Sequence, residues 1–230
     1  MSQSNHWCWK PRFANTGNMP TSGPAENGLI VADTSSAGTP TYRYVDGASE
    51  GGETEVQMAA DVEVENVCVY QGDSLPFDID QIIEARIRFK LKQAALDATS
   101  QIALGLVGDR NDTIDSIAQA AVLRIVGADN TTNVVVETDD GTNNNDDVST
   151  GKTIADTDVH ELIISFAAGK FDVRFFLDGQ PLAPGTTFDM SNYSGALQFF
   201  AQIQKTADAN TDGFNLLEGT YVRGRSVLSA

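Results

Sequence analysis

The chain is poor in the residues that carry most catalytic and metal chemistry. Its 230 residues include two cysteines, Cys8 and Cys68, and two histidines, His6 and His160. Cysteines so few and so far apart make neither a disulfide framework nor a thiolate metal cluster. Two free thiols are expected, as in a reducing cytoplasm. No Ser or Cys motif frames either histidine, so no nucleophile–base pair is marked, and His160 is expected only to begin a strand. Basic residues are scarce too. Fifteen Lys and Arg stand against 32 Asp and Glu, a net charge of −17, and such a surface repels the phosphates of free nucleic acid. No stretch approaches the ~18 apolar residues of a membrane span. The opening MSQSNHWCWKPRF has no apolar segment of the secretory type. The expectations are therefore no membrane role, and synthesis and assembly inside a cell.

What is present is a dense period-two pattern. Leu162, Ile164 and Phe166 place apolar residues at every second position, as a half-buried strand requires. Ala167-Ala168-Gly169-Lys170 turns the chain, and Phe171, Val173, Phe175 and Leu177 resume the alternation. Asp178-Gly179 then marks a hairpin whose two central residues need positive φ. Ile83–Lys92 is the cleanest strand, with Ile83, Ala85, Ile87, Phe89 and Leu91 on one face. Glu84, Arg86, Arg88, Lys90 and Lys92 occupy the other, an alternation that suits an antiparallel sheet.

Further strands are expected at 29–33, 42–45, 54–58, 62–70, 101–108, 121–126, 133–138, 197–204 and 216–225. Residues 112–119 predict one short helix, with Asn111 or Asp112 as cap and Ile114, Ile117, Ala118 and Ala121 on one face. Residues 139–150, with three consecutive asparagines, read as a polar loop. Residues 1–28 show no periodicity and read as an extended arm. The pattern predicts roughly ten to thirteen strands in an all-β, antiparallel two-sheet jelly-roll β-sandwich spanning 29–230, preceded by the arm.

The segment Val159–Leu182 resembles the concanavalin A-like lectin/glucanase superfamily, including laminin-G-like modules. The matching residues are His160, Gly169-Lys170, Phe171–Leu177, Asp178-Gly179 and Pro181-Leu182. The closing LLEGTYVRGR of Leu216–Arg225 is similar to the last strand of such jelly rolls. The resemblance implies the sandwich and admits a glycan ligand and calcium. A looser likeness, resting on an acidic sandwich, an irregular arm and no export signal, is to structural proteins of tailed bacteriophages, decoration or cement proteins in particular.

Glucanases of this scaffold use an E-x-D-x-(x)-E strand, because retaining hydrolysis needs two carboxyl groups about 5–5.5 Å apart. Asp61, Glu63 and Glu65 share a strand face in a different order, with no aromatic residue between them, and are expected to be a solvated face paired with the basic stripe of Arg86, Arg88, Lys90 and Lys92. Glu137-Thr138-Asp139 begins the pattern but meets Gly141 where a carboxylate should follow. No enzyme is expected. Oxygens for calcium are offered by Asp139, Asp140, Asn143, Asn144, Asn145, Asp146 and Asp147, and by Asp109, Asn111, Asp112 and Asp115. Neither set has a D-x-D-x-D-G spacing, so loop and capping roles are favoured and no cofactor is expected.

The arm is the clearest asymmetry. Residues 1–25 hold Lys10, Arg12, Trp7, Trp9 and Phe13, and no acidic residue. Large rings outside a folded core are expected to bury against something, either the protein's own sandwich or a neighbouring subunit, and aromatic rings beside Arg are the composition of an interface anchor. Trp7, Trp9, Lys10, Arg12 and Phe13 are therefore the expected partner-binding residues. The first expectation is a non-enzymatic virion structural protein, a decoration or cement protein. It would be made in the host cytoplasm, act as a homo-oligomer and dock on the major capsid protein or another virion protein. The alternative is a lectin-like carbohydrate-binding module of a tail, spike or cell surface, with Tyr70 and Tyr193 among residues that can stack sugars.

Overall fold

The structure, a computed structural model, describes residues 6–13, 17–23, 28–45, 52–128 and 131–226. The first strands are β1 (His6–Trp9), β2 (Gly17–Asn18), β3 (Ile30–Asp33), β4 (Thr41–Val45), β5 (Glu53–Gln57) and β6 (Glu63–Tyr70). They are followed by β7 (Phe77–Asp78), β8 (Ile82–Leu91), β9 (Ser100–Val107), β10 (Ala120–Ala128), β11 (Thr131–Asp139) and β12 (Asn144–Thr153). The last are β13 (His160–Ser165), β14 (Arg174–Leu177), β15 (Gln180–Leu182), β16 (Ala196–Asp208), β17 (Gly213–Leu217) and β18 (Tyr221–Arg225). Among the described residues no helix is long and apolar enough to cross a membrane.

These strands make two antiparallel sheets. The first runs β15-β14-β13-β8-β17-β5-β4-β2, with β18 on β8 and β1 on β18. The second runs β12-β11-β10-β9-β16-β6-β3, with β7 on β16. The inward faces meet in one core. Ala85, Ile87, Phe89 and Leu91 of β8, Leu162 and Ile164 of β13 and Phe214 and Leu216 of β17 come from the first sheet. They pack on Ile102, Leu104 and Leu106 of β9, Leu123 and Ile125 of β10 and Leu197, Phe199 and Ile203 of β16. Burying each such side chain contributes roughly 1.5–3 kcal/mol, offset by ordering entropy. The all-β two-sheet sandwich is thus as the sequence predicts. The Asp178-Gly179 turn also has the expected geometry, with φ of 51° and 74°.

Several elements differ from expectation. The predicted helix over 112–119 is a single 3-10 turn, Ile114–Ser116. Ile114 and Ile117 instead cover a second apolar cluster on the outward face of the second sheet, with Cys68, Tyr70, Ala103, Val107, Val122 and Phe200. That cluster explains why β9 and β10 are largely apolar on both faces, with Arg124 the one charge inside β10, since both of their faces are covered. The polar segment 139–150 is mostly the edge strand β12, whose backbone pairs with β11 although its side chains face water. The closing segment 216–225 is two strands. β17 and β18 lie along the same side of β8, separated by a turn in which Gly219 has φ +92°. The strand expected from Phe171 begins at Arg174, and Phe171 is exposed. The sequence also reads 46–52 as a turn, which falls largely outside the described residues.

Candidate functional site

The expected arm is woven into the sandwich. β1 pairs with β18, His6 opposite Arg225 and Trp9 opposite Val222. Trp7 stacks on Phe77 with centroids 5.6 Å apart and planes within 5°. Trp9 tilts against Phe77 and Phe199. Phe13 is 0% exposed in the core, and its N–H donates to Glu218 Oε1 at 3.0 Å. Lys10 and Arg12 are exposed, with Lys10 Nζ 6.0 Å from the Tyr221 ring centroid. The reading of residues 1–28 as an unpacked arm is corrected for the described part. Large rings bury most area where a sheet edge and an open sandwich side already exist, and this chain supplies both. Phe13 has no surface left to offer a partner.

The acidic and basic stripes are also placed differently. β6 belongs to the second sheet and β8 to the first, so the two stripes do not pair. Arg86 bonds Glu161 of β13, Lys90 meets Glu53 of β5 at 2.7 Å, and Lys92 bonds Glu55. Nor is the acidic stripe wholly solvated. Val67 and Val69 point into the core, and strand parity carries Glu65 inward with them. Glu65 and Lys205 are both 0% exposed and 3.0 Å apart, while Val62 and Val64 are exposed. Lys205 Nζ also donates to the Ala59 carbonyl at 2.7 Å and the Asp61 carbonyl at 3.0 Å.

One end of the sandwich gathers polar groups from three loops, after β9, after β11 and before β16. Asp140 is its hub and is buried. Its Oδ1 accepts the N–H groups of Thr142 and Asn143 at 2.9 and 2.6 Å. Its Oδ2 accepts the Asn192 N–H at 3.0 Å and the Asn192 side-chain amide at 3.2 Å. Burial works against this charge, but donors from Asn143, Asn192 and Thr142 outweigh it and hold the carboxyl below its ordinary value. Gln119 lies across two glycines, and a Cβ at Gly108 would come within 3.0 Å of its Oε1. Tyr193 folds over Gly195, and its hydroxyl donates to the Ala196 carbonyl at 2.7 Å. Burial, then the nearby Asp109 carboxylate, push that hydroxyl up. Half-buried Gln119 and Tyr193, with exposed Asp109 and Asn192, thus edge one rigid patch. Amides, a carboxylate and an aromatic ring held by glycine-permitted close packing can hydrogen-bond and stack a polyhydroxylated ligand.

Beside this patch, on the outward face of the second sheet, Arg124 is 3% exposed. Its Nη1 reaches Glu137 at 3.2 Å, Asp147 at 2.7 Å and Asp115 at 2.5 Å, and its Nη2 donates to Gln101 Oε1 at 2.6 Å. A register shift between β11 and β12, with φ 47° at Asp147, aims the carboxylates at it. One ligand oxygen from each of Glu137, Asp146 and Asp147 lies within 4.8 Å of the others. Burial pushes Glu137 up to about 7 against the pull of Arg124. Of the carboxylates considered for calcium, Asp146 and Asp147 converge among the described residues, joined by Glu137, and the Arg124 guanidinium neutralises part of their charge. Asp140 is saturated by its own N–H donors. Asp112 bonds Arg110, and Asn111 Oδ1 accepts the Thr113 N–H at 2.9 Å.

His160 begins β13 as expected, and both of its ring nitrogens are occupied. Nδ1 is 2.8 Å from Asp178 and Nε2 is 2.9 Å from Asp156. Tyr70 is buried under the Arg110 guanidinium, 5.5 Å from its centroid. Cys8 is exposed and Cys68 buried, and both are free. Sequence reasoning missed Arg124, Gln119 and Asn192. A lone Arg inside AAVLRIV was a usable signal for the first, since an apolar run tolerates a buried cation only where carboxylates meet it. Nothing local marked the other two.

No protein-family model matches the sequence, and a search of curated protein sequences finds no match. Solved structures do match. The carbohydrate recognition domain of Emp47p superposes with a TM-score of 0.58 at 13% identity, covering 95% of each chain. That of Emp46p gives 0.50 at 9% identity, covering 95% of this chain and 100% of its own. A conserved carbohydrate esterase of the Shiga toxin-encoding bacteriophage phi24B gives 0.50 at 17% identity, covering 85% of this chain and 91% of its own. By fold, the chain is a lectin-like jelly roll.

Proposed function

We propose that this protein is a lectin-like module that binds a glycan, without transforming it, at the loop end built on Asp140. The observation that carries the reading is the match to the Emp47p carbohydrate recognition domain over 95% of both chains. The loop end supports it with a fixed set of donors, acceptors and one ring: Asp109, Gln119, Asn192 and Tyr193. Asp140, held by five N–H donors, keeps the loops in register whether or not a ligand is present. This reverses the order of the two sequence-based readings. Capsid decoration was motivated by an aromatic arm in need of a surface, and within the described residues that arm is spent on its own sandwich. A virion setting remains compatible with a glycan-binding role.

A glycan array probed with the full chain tests the reading. Binding is expected for the wild type and loss of it for Gln119→Ala and for Asp109→Ala, both of which leave the core intact. An array with no signal above a denatured control, or signal unchanged in both variants, refutes the site. Repeating the array with a chelator separates calcium-dependent binding at the Glu137, Asp146 and Asp147 carboxylates from metal-free binding.

A further inference from the structure

The outward face of the first sheet carries a second site. Phe214 and Leu216 are buried in the core, so Asn215 between them points to the opposite face. It stands opposite Glu55 of β5 and Lys90 of β8. There it helps line a cleft of about 390 Å³ with Arg43, Glu53, Glu55, Lys90, Lys92 and Thr157. Asn215 is 5% exposed, and its Oδ1 has no hydrogen-bond partner among the described residues. A buried amide oxygen left unmet costs about 1–3 kcal/mol, and its residue stands in the wall of an open cleft.

The lining has a definite chemical character. Three cations, Arg43, Lys90 and Lys92, face two carboxylates, Glu53 and Glu55, on a chain whose net charge is −17. Each carboxylate already meets a cation. Lys90 bonds Glu53 at 2.7 Å, Arg43 bonds Glu55 at 2.5 Å, and Lys92 bonds Glu55 and donates to the side-chain oxygen Oε1 of Gln57 at 2.7 Å. One positive charge is left over. Burial, then Arg43, lower the Lys92 ammonium from its ordinary value, and a negative charge placed beside it favours the charged form and counterbalances that shift. The same carboxylates and the Asn215 oxygen have lone pairs free to accept hydroxyl protons. A ligand that fits carries one carboxylate and several hydroxyls on a compact ring.

We propose that this cleft binds an acidic sugar, a uronic acid residue of a carboxylated polysaccharide. Its carboxylate sits among Lys90, Lys92 and Arg43, and a ring hydroxyl donates to Asn215 Oδ1. The site lies on the other sheet from the loop end and does not depend on it.

The test is titration of the full, isotopically labelled chain by amide NMR with glucuronic acid, with glucose and acetate as separate controls. Glucuronic acid is expected to shift the Asn215 side-chain amide and the backbone amides of residues 53–55 and 90–92 saturably. Glucose and acetate, each offering half of the recognition, are expected to bind about tenfold more weakly, as the loss of one strong polar contact implies. Asn215→Leu removes the unmet amide without charging the sheet. It is expected to fold at least as stably and to lose glucuronate binding about tenfold. Lys90→Gln, at the more exposed edge, keeps the hydroxyl acceptors and is expected to erase the preference over glucose. No saturable shift at these residues, equal shifts with glucose, or undiminished binding in Asn215→Leu each overturn the proposal. Loss here with array binding retained leaves the loop-end reading standing, and the reverse result removes only that reading.

Discussion

Glu137→Gln is the sharpest perturbation of the polar cluster beside the candidate site. Burial raises the Glu137 carboxyl from 4.5 to about 7 in the folded chain. The unfolded chain ionises this group near its ordinary value. Between those two pH values the folded state therefore holds a proton that the unfolded state has released. Stability from this group is fully present below about pH 4.5, falls as pH rises to about 7, and is flat above. Each pH unit is worth about 1.36 kcal/mol, so the whole interval of about 2.5 units amounts to at most about 3.4 kcal/mol. Gln is nearly isosteric with the protonated acid and still offers Arg124 an acceptor oxygen. The variant is thus expected to match the wild type near pH 4.5 and to exceed its stability by about 1–3 kcal/mol at pH 8. Urea unfolding of both proteins at closely spaced pH values measures this, and taking the difference removes the titration of the other carboxylates. A difference that stays flat from pH 5 to 8, or a wild type that becomes the more stable protein as pH rises, refutes the reasoning.

Two further outcomes follow from the packing. Lys205→Met leaves Glu65 buried and unpaired and is expected to cost about 3–5 kcal/mol, whereas adding Glu65→Leu recovers most of it; a single-variant loss below about 1 kcal/mol in a denaturant midpoint would show that the pair is not buried in solution. Phe13→Ala is expected to cost about 3–5 kcal/mol as a core truncation. A thermal melt unchanged by Phe13→Ala would restore the reading of an arm independent of the sandwich.

Local pattern and tertiary context divide cleanly in this chain. The alternation in Ile83–Lys92 and Leu162–Phe166, and the Asp178-Gly179 turn, determine strands, faces and a hairpin, because period-two burial and positive φ are properties of a few adjacent residues. From these the two-sheet sandwich follows. Nearest-neighbour chemistry does not say which strands share a sheet. Glu65 looks solvated until Val67 and Val69 set its parity and Lys205, 140 positions later, meets it. Trp7, Trp9 and Phe13 look like an arm until β18, at the far end of the chain, offers an edge. The loop end has the same origin. Asp140 and Asn192 are 52 positions apart, and only the crossing of the two sheets brings the Asn192 donors to one carboxylate. The sequence alone determined where the chain extends and turns. The tertiary structure decided which charges are buried and which loops meet, because those depend on contacts between residues that the chain separates and the sheets bring together.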